Sequence, residues 1–462
     1  MTASRFFALA SPTFTSYDAV MYFTDEQPFL DAVFDRYADD RPRLVYADFL
    51  DDSGAPDRAE LIRVQLALAR LGEDDPRRPA LSDRQVELLA TNRNAWTAHL
   101  AGLVETVDFR RGVPDSVSVD ANTFLERGDE LFSRLHIRRL SLRDAAPVMV
   151  KVAASPLLAR VHELDLCNCS LGNRGLEPLV RSPHLKNLES LDLGFNELDD
   201  AGVHILARSS NFASLTALAI NDNDLIGDAG IMSLAGSPFF AGLTTLDLSG
   251  NDVGDAGLTA VVASKSFTRV RVLRVSGNRI GDAGIAAFSR SALFSRATKT
   301  EPELVLRANT IGHAGAAVLA LSPALAACTT LDLSHNYLGD SGLAALLDSP
   351  HLGRLKSLRL ARNQITDAGA TAARKAFDRV FAHVRHLDLS GNRLTRVGMG
   401  VMAAVRGERA VHIDVTGNVQ SATAGDAPVA VSDVLPGVLD GVAEAALLKR
   451  RIAHPRHLTN GD

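Results

Sequence analysis

At 462 residues, 46% apolar and only 5% aromatic, the chain is long enough for several domains and points to a core of Leu, Ile, Val and Ala. Its formal charge of −6 gives no whole-chain reason to bind nucleic acid or an anionic membrane, and no apolar run approaches the roughly 18–20 residues of a membrane helix. Three cysteines cannot build a disulfide framework, which suits a reducing, cytoplasmic setting.

Residues 1–21 read as a disordered leader. The apolar run Phe6–Ala10 is shorter than the roughly 7–15-residue core of a secretion signal, and Met21 is an alternative start. Residues 22–102 read as a small helical domain, with helices expected over 31–37, 43–50, 58–71 and 83–100. Leu61, Val64, Leu68 and Leu71 share one helix face. Pro42 and then Ser53-Gly54-Ala55-Pro56 break the chain between helices. Trp96 reads as a core anchor. Asp48, Arg58, Glu60 and Arg63 read as ion pairs between helices, since no nucleophile and base accompany them.

The text Arg41-Pro-Arg-Leu-Val-Tyr-Ala-Asp-Phe-Leu-Asp-Asp, followed by Arg58-Ala-Glu-Leu-Ile-Arg-Val-Gln65, resembles the short repeat-companion domain that precedes repeat arrays in planctomycete-type bacterial proteins. Phe49 replaces that family's usual Trp and Leu61 its usual Phe, and both exchanges stay apolar. The resemblance implies no chemistry.

Residues 103–143 read as an N-terminal cap with a degenerate first repeat: alternating segments around Val104–Phe109 and Val117–Val119, a helix over 122–135, then Leu140-Ser-Leu142. Ala145 stands where later repeats carry Asn. From 144 to 420 a unit recurs about every 27 residues, with Leu246-Asp-Leu-Ser-Gly-Asn-Asp-Val-Gly-Asp-Ala-Gly257 as its clearest copy. Leu246 and Leu248 point inward and Asp247 and Ser249 outward; Asn251 ends the strand and Val253 plugs the turn. Asp255 sits where a helix N-cap is wanted. Asn196, Asn223, Asn278, Asn309, Asn336, Asn363, Asn392 and Asn418 occupy the slot of Asn251, where an amide can satisfy backbone groups at a buried bend. Cys169 takes that slot as a structural substitute. Residues 289–302 carry the longest gap and read as a surface loop.

These residues resemble leucine-rich repeats, LxxLxLxxNxL, and the repeat length with its GDAG-helix half is similar to the ribonuclease-inhibitor-like subclass. The resemblance implies an α/β solenoid: a horseshoe with a concave parallel sheet and convex helices, here preceded by the small α-helical domain. A strand and a helix in under about 30 residues cannot close a core alone, so each unit must stack on its neighbours.

The concave face then carries the binding information. Its central row is Ser141, Asp165, Asp192, Ala219, Asp247, Arg274, Val305, Asp332, Arg359, Asp388 and Asp414, with Arg274 expected beside Asp247 and Arg359 between Asp332 and Asp388. Asp165 and Asp192 lack a cation in that row and mark an acidic strip suited to a basic or amide-bearing partner. Candidate partner-binding residues are Asp165, Asp192, Asp247, Arg274, Asp332, Arg359, Asp388 and Asp414 of the row, together with Phe195, Arg307, His335 and Arg362. The stretches 221–227 and 249–255 resemble calcium loops only faintly, because apolar residues fill their inward slots, and the histidines are scattered. No cofactor, metal, nucleic acid, membrane or small-molecule substrate is expected. Residues 421–462 read as a linker and a C-terminal capping helix around 434–452. The expected function is a non-catalytic interaction scaffold for a protein partner; the alternative is a regulatory subunit that inhibits or activates a partner enzyme.

Overall fold

A computed structural model of the chain describes residues 16–72, 75–294, 301–380, 383–408 and 411–418. The tail helix and residues 295–300 of the surface loop lie outside these. Four helices open the chain: α1 (Ser16–Asp35), α2 (Arg41–Asp52), α3 (Pro56–Arg70) and α4 (Arg78–Thr97). Since α1 begins at Ser16, residues 16–21 are helical and not part of a disordered leader. Pro42 and Pro56 fall in the first turns of α2 and α3, where a missing N–H leaves no bond unmade.

The charged residues of this front tie helix to helix. Buried Glu26 accepts from Tyr46 Oη and from Arg58, both at 2.8 Å, joining α1, α2 and α3. Arg63 reaches Asp48 and Asp51 at 2.7 Å each, and Arg84 holds Glu60 at 2.7 Å. Trp96 packs edge-on against Phe109 at 5.7 Å, as an anchor does.

Strands β1 (Thr106–Arg110) and β2 (Val113–Asp120) form an antiparallel hairpin. Helix α5 (Ala121–Arg134) follows, N-capped by the Asp120 carboxylate, and β3 (Arg139–Arg143) pairs in parallel with β2. The hairpin turn rests on α3. Gly112 has φ +85°, and a Cβ there would lie 2.3 Å from Ile62 Cα. Gln65 clamps the turn, accepting from Gly112 N at 2.6 Å and donating to Phe109 O at 3.1 Å. The cap expected at 103–143 is therefore itself backed by the helical front, and Leu61, Leu88 and Leu100 join the repeat core.

The repeat strands are β4 (Glu163–Asp165), β5 (Ser190–Asp192), β6 (Ala217–Ala219), β7 (Thr245–Asp247) and β8 (Val272–Arg274). They continue through β9 (Glu303–Val305), β10 (Thr330–Asp332), β11 (Ser357–Arg359), β12 (His386–Asp388) and β13 (His412–Asp414). Strands β1 to β13 form one sheet in chain order, parallel from β2 onward. Each repeat strand buries its middle residue. Helices α6 (Met149–Ala154) through α15 (Arg396–Glu408) lie on the other side, and neighbouring helices pack on one another. A helix is roughly 10 Å wide and a strand about 4.8 Å, so stacking makes the strand side concave.

Three polar ladders run between repeats. In the first, each buried Asn serves its neighbour: Asn223 Oδ1 accepts from Asn196 N and Leu198 N at 3.0 Å, while its Nδ2 donates to Leu193 O at 3.1 Å. Cys169 holds the same slot and its thiol lies 3.1 Å from Leu142 O. In the second, Ser209, Ser237 and Ser349 donate to the carbonyls of Val180, Ala207 and Ala320 in the preceding repeat. The third corrects the reading of Asp255. Asp255 is the first helical residue of α10 (Asp255–Ala263), and Gly254 is the cap. Its carboxylate leaves its own helix to accept from Gly281 N of the next repeat at 2.7 Å. Likewise Asp228 accepts from Gly254 N at 2.7 Å and Gly257 N at 2.8 Å. That explains the motif's last glycine: a Cβ on Gly257 would meet Asp228 Oδ1 at 2.7 Å.

Candidate partner-binding face

The strand register places Asp165, Asp192, Ala219, Asp247 and Arg274 side by side, and continues through Val305, Asp332, Arg359, Asp388 and Asp414. Each aspartate of this row has a structural task as well. Asp165, Asp192, Asp247, Asp332, Asp388 and Asp414 accept from the N–H two residues on, at 2.8–3.0 Å, which closes the strand end. Asp332 is only 4% exposed and so offers a partner little surface.

Charge is uneven along the face. Strands β4 to β7 and the turns after them carry Asp165, Asp192, Asp222, Asp224 and Asp247 without an arginine or lysine among them. Strands β8 to β13 and their turns mix Arg274, Arg307, Arg359, Arg362 and Arg393 with Glu303, Asp332, Asp388 and Asp414. Two expected pairings differ. Arg274 turns away from Asp247 to Glu303 at 3.3 Å, because Glu303 on the next strand reaches the guanidinium plane along the same edge. Asp165 does have a cation, Arg139, at 3.6 Å from the degenerate first repeat. Arg359 lies a long 3.8 Å from Asp332. Asp192 and Asp247 have no cationic partner among the described residues. Burial, with Asp165 and Asp247 nearby, pushes the Asp192 carboxyl up to about 6.

The residue before each ladder Asn is left-handed. Phe195, His335 and Arg362 have φ of +56°, +57° and +52°, and Gly250, Gly277, Gly391 and Gly417 hold the same place elsewhere. A non-glycine residue there costs on the order of 1 kcal/mol. The three candidates thus sit on one structural rim, at positions that glycine fills without strain. Burial and then Arg307 and Arg362 lower the pKa of His335.

Two hollows adjoin the face. One of about 580 Å³ lies where the front meets the first repeats, between Tyr37, Gln65, Phe109, Arg110, Arg111 and Arg138. Its guanidiniums are engaged: Arg110 with Glu163 at 2.6 Å, Arg111 with Asp40 at 3.3 Å, and Arg138 with Glu189. The second, about 490 Å³, lies on the rim beside β11 to β13 and is lined by Arg362, Gln364, Ser390, Gly391, Arg393, Thr416 and Gly417. Of these, Gln364 and Arg393 were not singled out from the sequence, while Ser390 and Thr416 hold the small or polar outward position after each strand. The signal for Arg393 was its place one residue past the ladder Asn392, a column that faces the rim.

The chemistry of the cysteines is inert. Burial pushes the Cys167 and Cys328 thiols up to about 12, and raises Cys169 as well, so none is a thiolate at neutral pH. Among the described residues no three His, Cys, Asp or Glu side chains come together as a metal site. No helix there is long and apolar enough to cross a membrane.

The leucine-rich repeat family model matches residues 184–205, 213–235, 243–262, 269–289, 329–347, 355–372 and 382–403. The chain carries leucine-rich repeats. The matches fall on successive strand–helix units and skip the unit after the irregular loop. Among solved structures the chain is similar to an internalin from Listeria monocytogenes, at 19% identity and a TM-score of 0.37, over 65% of this chain and 71% of that one. No curated protein matches the chain.

Proposed function

We propose that this leucine-rich-repeat protein is a non-catalytic scaffold that presents the concave face of its arc to a protein partner. In this reading β4 to β7 grip a basic or amide-bearing segment. Proteins with such repeats are generally interaction scaffolds. The observation that carries the finer reading is Asp192: it lies in register beside Asp165 with Asp247 two strands on, it forms no ion pair among the described residues, and burial and those two carboxylates raise its pKa. The carboxylate closes its strand, but its charge is uncompensated there, and an incoming Lys, Arg or amide would relieve it. The ribonuclease-inhibitor-like character of the repeats, the repeat-companion character of the front and a cytoplasmic location belong to the same proposal and rest on the sequence.

The test is a pull-down from native lysate with the full chain and with Asp165→Asn plus Asp192→Asn. Asparagine keeps the acceptor that closes each strand, so the variant removes charge without removing the bond. A stoichiometric partner that binds the parent and is lost from the double variant supports the proposal. Equal capture by both overturns it.

A further inference from the structure

We infer that the rim hollow beside β11 to β13 is a second binding site, for an extended acidic segment of a protein partner carrying spaced aspartates or glutamates. It rests on the scaffold reading but on different residues. The walls are Arg362 and Arg393, both exposed and neither paired with a carboxylate among the described residues; Gln364, Ser390 and Thr416 add neutral donors. The space exists because Gly391 and Gly417 take the left-handed place that Arg362 fills one repeat earlier. The Arg362 stem lies over Gly391, where a Cβ would come within 2.7 Å of its Cγ. Arg362 therefore holds a conformation that glycine would adopt freely, and it does so exposed and without an internal salt bridge.

The carboxylates of the same strands, Asp388 and Asp414, accept from Ser390 N and Thr416 N. Neither forms an ion pair with Arg362 or Arg393 among the described residues. Arg307 continues the cations along the same edge, with its guanidinium 3.4 Å from His335 Nε2. Arg362 and Arg393, on successive repeats, offer two separate guanidiniums, which suits two single charges on a strand better than one doubly charged phosphate. Alternate side chains of an extended peptide lie roughly 7 Å apart on one face, and each guanidinium can grip a carboxylate as a fork. A long polyanion such as RNA would meet the acidic half of the same arc and be repelled.

The experiment titrates the full chain with a fluorescent peptide of about six residues alternating serine and glutamate. Parallel arms use the serine-phosphorylated peptide without glutamate, the lysine counterpart and a short RNA. The acidic peptide should bind, weaken as salt rises, and lose about tenfold in affinity for each of Arg362→Gly and Arg393→Gln. Arg362→Gly removes the side chain and its strain together, so its thermal midpoint should hold or rise, which separates lost binding from lost folding. Asp165→Asn with Asp192→Asn should leave this peptide's affinity unchanged. No binding of the acidic peptide, equal binding by the arginine variants, or preference for the phosphopeptide or RNA would overturn the inference. The lysate capture reports on the scaffold reading separately.

Discussion

Asp192 shows how one side chain can serve both scaffold and surface. Its Oδ1 closes strand β5 through Gly194 N at 2.9 Å, while its charge faces out between Asp165 and the Asp247 side. Its folded pKa of about 6 stands above the ordinary carboxyl value near 4. The sign follows from linkage: the group's contribution to stability is complete below about pH 4 and is lost as pH rises through 6. Asp192→Asn should therefore be more stable than the parent at pH 8 by about 1–2 kcal/mol, after screening by solvent, and equal to it at pH 4. Urea midpoints at the two pH values check this; an equal gain at both would remove the charge from the explanation. The row of Asp side chains was legible from strand alternation alone. Their bonds to the N–H two residues on were not, since the same pattern describes a purely solvated row.

At the level of the strand–helix unit, the GDAG motif acts across the repeat boundary. Asp228 supplies the acceptor for Gly254 N and Gly257 N, and the absence of a Cβ at Gly257 makes room for it. Gly257→Ala would bring a methyl to 2.7 Å from Asp228 Oδ1 and 2.6 Å from Val253 Cγ1. It should cost about 2 kcal/mol. Gly236→Ala is the control, for its nearest neighbour would be Met232 O at 3.4 Å, and its expected change is within about 0.5 kcal/mol. Comparable stabilities of the two variants in chemical denaturation would show that the close approach to the Asp228 carboxylate does not decide the motif. The motif's existence was plain in the sequence. Reading Asp255 as its own helix's cap followed the local rule for capping, and the longer reach to Gly281 N won because the repeats stack closely enough for the carboxylate to bridge them.

For the whole molecule, the front and the array meet where Gly112 lies on Ile62. Gly112→Ala would place a methyl 2.3 Å from backbone that cannot yield, at φ +85°, and should cost about 3 kcal/mol or more. Because each repeat contacts only its neighbours, the damage should be local. Hydrogen exchange should show lost protection in α2, α3, β1 and β2, with β7 to β12 keeping theirs. Uniform loss along the chain would mean that the arc folds as one cooperative unit instead.

By itself, the sequence determined the solenoid, its register and its inner and outer rows. Leu and Asn recur about every 27 residues, and a repeated unit that must bury the same face each time has one way to stack. The helical front was equally readable, through apolar spacing and prolines. Only the tertiary structure decided where the charges go: Arg274 to Glu303, Arg139 to Asp165, and Arg362 and Arg393 to open solvent beside Gly391. Long side chains choose among several partners on their own and the neighbouring repeat, and separations of a few ångströms set that choice. A periodic pattern gives each residue its column; which neighbouring column it reaches depends on the stacked backbone.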